Sequence, residues 1–340
     1  LLDWTWSKTA DRGRATLGAA MALKARLLLF EASKLVNPSN DSAKWQAAAD
    51  AAKAVIEKEA QAGYDLFGDY RKLFLPANEH SCECVFNIEF SKTKNTAVNS
   101  FNVYSVQYRN NAPLLDLVMD YRTTTDGAAT MGKYDNLDPR FAATNFYPGS
   151  TFLGKANCPA GEVCQFTGFA HRKLTIYDAQ KRDSDDSNGE TNYMFIRYAD
   201  VLLMYAEAVA ADETSEAGEL TQAYEYLNRV RRRGYGRDVN TPVMGVDLPE
   251  EGRISLLEAV KDERARELGH ELLRKDDIIR WGEFYDRMQS IRVTVPEAYT
   301  SNYYVAARLY YGNVQRRDVL WPIPTYELSV NPYLVQNKGW

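Results

Sequence analysis

The feature that most constrains this chain is a helical period carried by small residues. The run "ATLGAAMALKARLLLFEASKLV", starting at Ala15, is rich in Ala and Leu, and Ala19, Ala20, Ala22 and Ala25 let a neighbouring helix approach closely. The turn "NPSNDS" follows, with Asp41 or Ser42 as the N-cap of a second helix. In "AKWQAAADAAKAVIEKEAQAG" the residues Trp45, Ala48, Ala52, Val55 and Ile56 recur on one face, and Gly63 ends the run. Two antiparallel helices joined by a short turn are the expected product.

The same arrangement recurs. "RYADVLLMYAEAVA" sets Ala199, Leu202, Leu203, Ala206, Val209 and Ala210 on one stripe. "GELTQAYEYLNRVRRRGYG" sets Leu220, Ala223, Tyr224, Leu227 and Val230 on another, with Gly234 as its stop. A third pair reads "ISLLEAVKDERAREL" followed by "HELLRKDDIIRWGEFYDRM". The pairs span about residues 14–63, 194–234 and 253–288, and they are similar to tetratricopeptide-like hairpins, although no fixed repeat length makes them a solenoid. The predicted fold class is therefore mostly α, with tetratricopeptide-like helix pairs (an α-α superhelix) packed against an irregular, loop-rich half. We expect one domain over 1–340.

Between the first and second pairs lies a stretch of about residues 64–190 that is different in kind. It is rich in Asn, Tyr, Phe, Gly and Pro, with a strand expected at "VFNIEF" and a short helix at "PLLDLVMDY". Irregular chain of this length is functional or disordered, and its aromatic content argues against disorder. Across the whole chain there are 22 tyrosines and 6 tryptophans, more than a core needs, since each carries a polar group that wants a partner or water. Such a surplus suits a surface that meets flat, amphipathic ligands such as sugar rings or peptides. The chain closes on "LWPIPTYELSVNPYLVQNKGW", where Pro322 and Pro324 stiffen an extended path; a tail over 318–340 docked on the last helical pair is expected, with Trp281 as a contact.

Most chemistry is missing from the pattern. A net charge of −5 argues against nucleic acid as a partner, which calls for a basic face. No apolar run approaches the length of a membrane span. The three histidines, His80, His171 and His270, are scattered in sequence. "HELLR" lacks the second zinc ligand of a metalloprotease helix because Arg274 stands there. "GYGRDV" lacks the third glycine of a dinucleotide loop. "DSDDSNGE", 183–190, lacks the glycine at the sixth position and the Glu at the twelfth position of a calcium loop and reads as a solvated acidic segment. No cofactor and no metal are expected. Cys158 and Cys164 bracket a short loop that could close a disulfide, which would mark an exported protein, or stay as thiols. Cys82 and Cys84 lie too far apart along a strand to bridge easily and read as structural or free thiols. The run "ERARELGHELLRKDDIIRWG" reads either as a charge-laced surface helix or, with its arginines and carboxylates in register with Leu268, Ile278 and Trp281, as a buried network locking two helices and the tail; this structural role is favoured over a catalytic one.

Five motifs in order, "GRATLGAAMALKARLLLFEAS", "NLDPRF", "RYADVLLMYAEA", "ERARELGHELLRKDDIIRWG" and "LWPIPTYELSVNPYLVQNKGW", resemble those of SusD/RagB-like proteins of Bacteroidetes-type bacteria. The likeness runs over essentially the whole chain. It departs where the family's charged helix often carries a glycine and an aromatic pair; Leu272, Lys275 and Asp276 stand at those positions. The sequence begins without Met, and the resemblance implies that a lipid-modified cysteine and a first helical segment precede it. Trp4 and Trp6 are then expected to pack on that preceding chain.

The resemblance implies an outer-membrane, surface-exposed lipoprotein that sits over a TonB-dependent SusC-like transporter and captures glycans for import, without catalysis. Peptide capture by the same kind of lipoprotein is the alternative, with a glycosidase on a helical scaffold or a purely protein-binding scaffold behind it. Since the five motifs are what members share while ligands differ, the binding residues are expected outside them. In "NSFNVYSVQYRNN", Tyr104 and Tyr108 would stack on sugar faces, while Asn102, Arg109, Asn110 and Asn111 would hydrogen-bond hydroxyls. Tyr299, Tyr303 and Tyr304 form a second candidate patch.

Overall fold

The computed structural model describes residues 3–6, 11–91, 99–101, 112–122, 134, 137–152, 154, 169–177, 189–294 and 313–340. These fall into two compact units, Leu1–Arg274 and Lys275–Trp340.

In the first unit, α1 (Leu17–Ala32) starts at Thr16, whose Oγ1 accepts from the Ala19 N–H at 3.1 Å. The second helix, α2 (Ser42–Ile56), starts at Asp41, whose carboxylate accepts from the Ala43 N–H. A one-turn α3 (Glu59–Ala62) ends at Gly63 in the left-handed region that glycine tolerates. Alanines at 22, 25, 48 and 52 are buried where α1 and α2 meet, as the small-residue pattern requires. The later helices are α6 (Tyr198–Ala211), α7 (Ala217–Gly234) and α8 (Arg253–Glu267). One difference from the sequence reading stands out. Rather than showing one apolar stripe, α6 is buried on every side, because α2, α7 and α8 all pack against it. The first two helix pairs thus share one core, although about 130 residues of irregular chain lie between them.

The irregular half supplies two small antiparallel sheets. In one, β1 (Cys84–Ile88) pairs with β4 (Tyr193–Arg197), with Cys84 opposite Arg197 and Ile88 opposite Tyr193. In the other, β2 (Asn145–Phe146) pairs with β3 (Ala170–His171). The short helices α4 (Leu115–Met119) and α5 (Arg140–Thr144) also lie in this half. Cys82 precedes β1, and both it and Cys84 are free thiols.

What joins this half to the helices is a buried ion network. Glu263 and Glu267, one turn apart on α8, are fully buried. Arg140 donates to Glu263 at 2.6 Å, to Glu267 at 2.8 Å and to Asp138 at 2.7 Å. Arg197 of β4 reaches Glu83 at 2.6 Å, Glu267 at 2.5 Å and Glu271 at 2.7 Å. Arg233, near the end of α7, binds Glu83 at 2.5 Å and also Glu267. Lys173 binds Glu271 and lies over the Tyr70 and Phe74 rings. Burial opposes the charge on Glu267, yet Arg233, Arg197, Arg140 and Lys173 outweigh it and hold the carboxyl well below the usual carboxylate range. The surface-helix reading of "ERAREL" is excluded.

The helix expected from His270 onward does not start there. His270 and Leu272 adopt positive φ, so "HELLR" is a turn and the next helix, α9 (Arg274–Arg280), begins at Arg274. Gly282, also at positive φ, separates α9 from α10 (Phe284–Thr294). Within the second unit, Ile278, Trp281 and Phe284 pack against Val314 and Val319. The chain end closes on itself around α11 (Thr325–Val330). Gln336 hydrogen-bonds both the N–H and the C=O of Ile323, and Trp340 Nε1 donates to the Leu320 carbonyl at 3.0 Å. Arg317 lies over the Trp340 ring, and Lys275 of α9 over that of Trp321. The prolines 322 and 324 hold the outgoing strand of this loop extended, which lets the two arms meet.

Candidate functional site

The residues first expected to bind ligand, Asn102, Tyr104, Tyr108, Arg109, Asn110 and Asn111, lie outside the described residues, as do Tyr299, Tyr303 and Tyr304. The same holds for Cys158 and Cys164. The stem from which the 102–111 segment leaves is described, and it is firmly built. Asn99 and Gly189 exchange backbone hydrogen bonds at 2.8 and 2.6 Å. The Asn99 side chain donates to the Thr191 carbonyl at 2.7 Å. Phe101 packs edge-on against Phe90, at 6.0 Å between ring centres, and tilted against Tyr193 at 6.1 Å.

Asn192 ties this stem to the end of β1. Its Nδ2 donates to Glu89 at 2.7 Å, its Oδ1 accepts from the Phe90 N–H, and its own N–H donates to Glu79 at 2.6 Å. Beyond Glu89 stands His80, 3.6 Å from that carboxylate, with the Trp6 ring edge-on to the imidazole at 5.9 Å. Trp6 and His80 line a cavity of about 290 Å³ together with Thr5, Arg12, Tyr64 and Ser81. The volume is near the lower end for small-ligand pockets, ~300–1,000 Å³. Buried polar atoms at this site have no partner among the described residues: His80 Nδ1, Ser81 Oγ and Glu89 Oε1. Burial pushes the Glu79 carboxyl up to about 7, assisted by Glu89 and Glu190. Burial likewise lowers the His80 pKa, which favours a neutral imidazole in the cavity wall.

An indole, a neutral imidazole, hydroxyls and the Arg12 guanidinium in the lining make a site able to stack on a ring and exchange hydrogen bonds with hydroxyl groups. Sequence reading passed over Trp6, His80, Glu89 and Asn192. Trp4 and Trp6 were expected to pack outward on preceding chain. Within this chain Trp4 packs on the main core, its carbonyl accepting from Tyr64 Oη at 3.0 Å, and Trp6 Nε1 donates to the Arg14 carbonyl at 2.7 Å. The scattered histidines also come partly together, with the rings of His171 and His270 packed against each other and His270 Nε2 3.0 Å from Asn145 Oδ1. Burial lowers both, His171 to about 3, so the pair is neutral. Among the described residues no cluster of three or more metal-binding side chains occurs.

The model of the SusD family matches residues 82–340. The chain belongs to the SusD family. It is 27% identical to SusD-like protein P25 of Formosa agariphila over 97% of its own length, and it spans 59% of the length of that relative. Among solved structures it resembles a SusD homolog from Bacteroides thetaiotaomicron, with a TM-score of 0.73 and 23% identity, over 100% of this chain and 67% of that one. It also resembles a SusD-like carbohydrate binding protein from Bacteroides fragilis, with a TM-score of 0.70 and 23% identity, over 96% of this chain and 66% of that one. The SusD-family match begins at Cys82, so the helix pair α1–α2 and the Trp6 wall of the cavity precede the matched region. Among the described residues no helix is long and apolar enough to cross a membrane.

Proposed function

We propose that this SusD-family chain binds a glycan at the bacterial outer surface, leaves it chemically unchanged, and passes it to a TonB-dependent SusC-like transporter beneath. In this reading the whole protein is held to the outer membrane by a lipid anchor on chain preceding this sequence. The observation that carries the binding step is the continuity from the Trp6 cavity, through His80, Glu89, Asn192 and Phe90, to Phe101 at the stem of the tyrosine-rich segment. A ligand seated on Trp6 would extend toward that segment. Of that segment we propose that Tyr104 and Tyr108 stack on the ligand and that Asn102, Arg109, Asn110 and Asn111 hydrogen-bond it; Tyr299, Tyr303 and Tyr304 are proposed as a separate second patch. The carbohydrate-binding name of the B. fragilis protein of like fold agrees with this.

The test is a screen of polysaccharides by affinity electrophoresis, followed by calorimetry on the best binder. Trp6→Ala and Tyr104→Ala are each expected to weaken binding by about 1–3 kcal/mol, by analogy with ring stacking on bases. The ligand should be recovered at its original length. Shortened products that disappear with one carboxylate substitution would instead make the protein a glycosidase. Binding of peptides but no glycan would move the reading to peptide capture.

A further inference from the structure

Among the described residues that line the Trp6 cavity, Arg12 alone is charged at neutral pH, and none is a carboxylate. Burial keeps the other titratable side chains of the wall uncharged. It lowers His80, pushes Tyr64 up to about 12, and raises the Cys82 and Cys84 thiols. Arg12 sits in a turn that is held from two sides. The Arg14 N–H donates to the Asp11 carbonyl at 3.1 Å, and the Arg14 carbonyl accepts from Trp6 Nε1 at 2.7 Å. On the other side Gly13 lies so close to Glu89 that a Cβ there would stand 2.8 Å from the Glu89 Cγ. The backbone of Arg12 is thereby placed at the cavity, next to the turn residue that anchors the indole.

The charge of Arg12 is accessible and unspent. Its side chain is exposed, and it has no hydrogen-bond or ion-pair partner among the described residues. The carboxylates around the turn are engaged elsewhere: Asp11 pairs with Arg14 at 3.6 Å, while Glu89 accepts from Asn192 at 2.7 Å and stands 3.6 Å from His80. The guanidinium is near enough to act on the cavity wall. After burial, and against the pull of Glu89, Arg12 is a further cause of the lowered His80 pKa. Glu89 is the charge that opposes an anion here, but it lies outside the lining, and its neighbour Glu79, pushed up to about 7, carries only part of a charge at neutral pH. A planar guanidinium fork binds an oxyanion more strongly than a neutral hydroxyl, and more so between apolar walls than on an open surface.

We infer that Arg12 makes the Trp6 cavity selective for an acidic sugar unit, its guanidinium holding a carboxylate or sulfate oxygen while the sugar ring lies against Trp6. That the occupant is a sugar rests on the proposed function; the preference for an anion rests on Arg12. Calorimetric titration of the intact chain with glucuronate, glucose 6-sulfate and glucose, at low and high salt, tests it. At least one of the two anions is expected to bind about tenfold or more tightly than glucose, because charge-assisted hydrogen bonds are about twice as strong as neutral ones. The anion that shows the preference tells carboxylate from sulfate, and salt should reduce the preference. Arg12→Gln should remove it. Since Arg12 has no partner among the described residues to lose, this variant should unfold at the same temperature as the native protein. Trp6→Ala should weaken all three ligands. Equal binding of the anions and glucose, or an anion preference that persists in Arg12→Gln, would overturn the inference. A polysaccharide that binds, is lost in Trp6→Ala and keeps its affinity in Arg12→Gln, with no anion preference among the three sugars, refutes the inference while leaving the proposed function standing. A chain that binds no saccharide at all refutes both.

Discussion

Replacing Glu267 by Gln keeps the shape of the side chain and removes one charge from the centre of the network. In the native protein its two oxygens accept from three guanidinium groups, Arg197 at 2.5 Å, Arg140 at 2.8 Å, and Arg233. An amide offers one acceptor oxygen, and it turns its N–H₂ toward a donor that cannot accept. At least one buried guanidinium N–H then loses its partner, and three buried cations share less negative charge. Breaking a buried pair costs about 3–5 kcal/mol, a large part of the ~5–15 kcal/mol that folds an ordinary domain. Urea unfolding followed by tryptophan fluorescence measures it. The control is Lys261→Ala, since its pair with Glu258 is exposed on the Glu side and worth about 0–1 kcal/mol. The acid limb adds a second reading. Glu263 is shifted down to about 2, and Glu267 also lies well below its usual 4.5, burial being outweighed by the arginines in both. On acidification the unfolded chain takes up these protons first, so their stabilisation is complete above pH 4.5 and is lost as pH falls toward 2. Glu267→Gln should flatten that loss. A variant as stable as Lys261→Ala, with an unchanged acid limb, would refute the claim that these charges hold the fold.

Other outcomes follow from the same geometry. Burial lowers the Lys173 pKa from 10.5 to about 8 despite Glu271, so the folded state releases this proton before the unfolded one; stability should rise with pH between those values. That rise should vanish in Lys173→Met, measured as the difference between the two proteins' urea midpoints. Gly234→Ala would place a methyl group 2.6 Å from Arg140 Nε inside the network. It is expected to cost about 1–3 kcal/mol by overpacking, where an exposed helical Gly→Ala would stabilise, and thermal unfolding gives the sign.

How much of this was legible in the sequence depended on whether a signal was local. Local signals carried well: α1 and α2 follow from alanine spacing, the start of α2 from Asp41 as cap, and the end of α7 from Gly234, whereas the Thr16 cap of α1 was not read. A buried network at "ERAREL" was legible as one of two readings, because its arginines and carboxylates stand in register with Leu268, Ile278 and Trp281. The identity of their partners was not. Glu83, Arg140, Arg197 and Arg233 come from four separate segments, and no periodicity brings them together. The helix expected from His270 failed for a related reason, because positive φ at His270 and Leu272 is imposed by surroundings that sequence spacing does not contain. Trp6 and His80 form one cavity wall although more than seventy residues apart, and neither belongs to a motif. The tyrosine-rich segments were legible only as composition.

The network explains how a half with little regular structure can hold its candidate site in a fixed place. Among the described residues the irregular segments carry small apolar clusters, such as Phe146 with Phe152 and Tyr177, or Tyr70 with Leu73 and Phe74. Clusters of that size exclude water but do not fix one segment against another, because apolar contact has no preferred direction. A guanidinium group does have one. Its planar fork offers donors on several sides, so Arg140 joins its own turn at Asp138 to two positions on α8, and Arg197 joins β4 to the pre-β1 turn at Glu83, to α8 and to the turn at Glu271. Since β1 runs from Glu83 and Cys84 toward Glu89, the placement of Arg197 also sets where Glu89, Asn192 and the Phe101 stem stand. The charges are buried at a cost in desolvation, and what that cost secures is a fixed register between the helical frame and the strands that carry the candidate site.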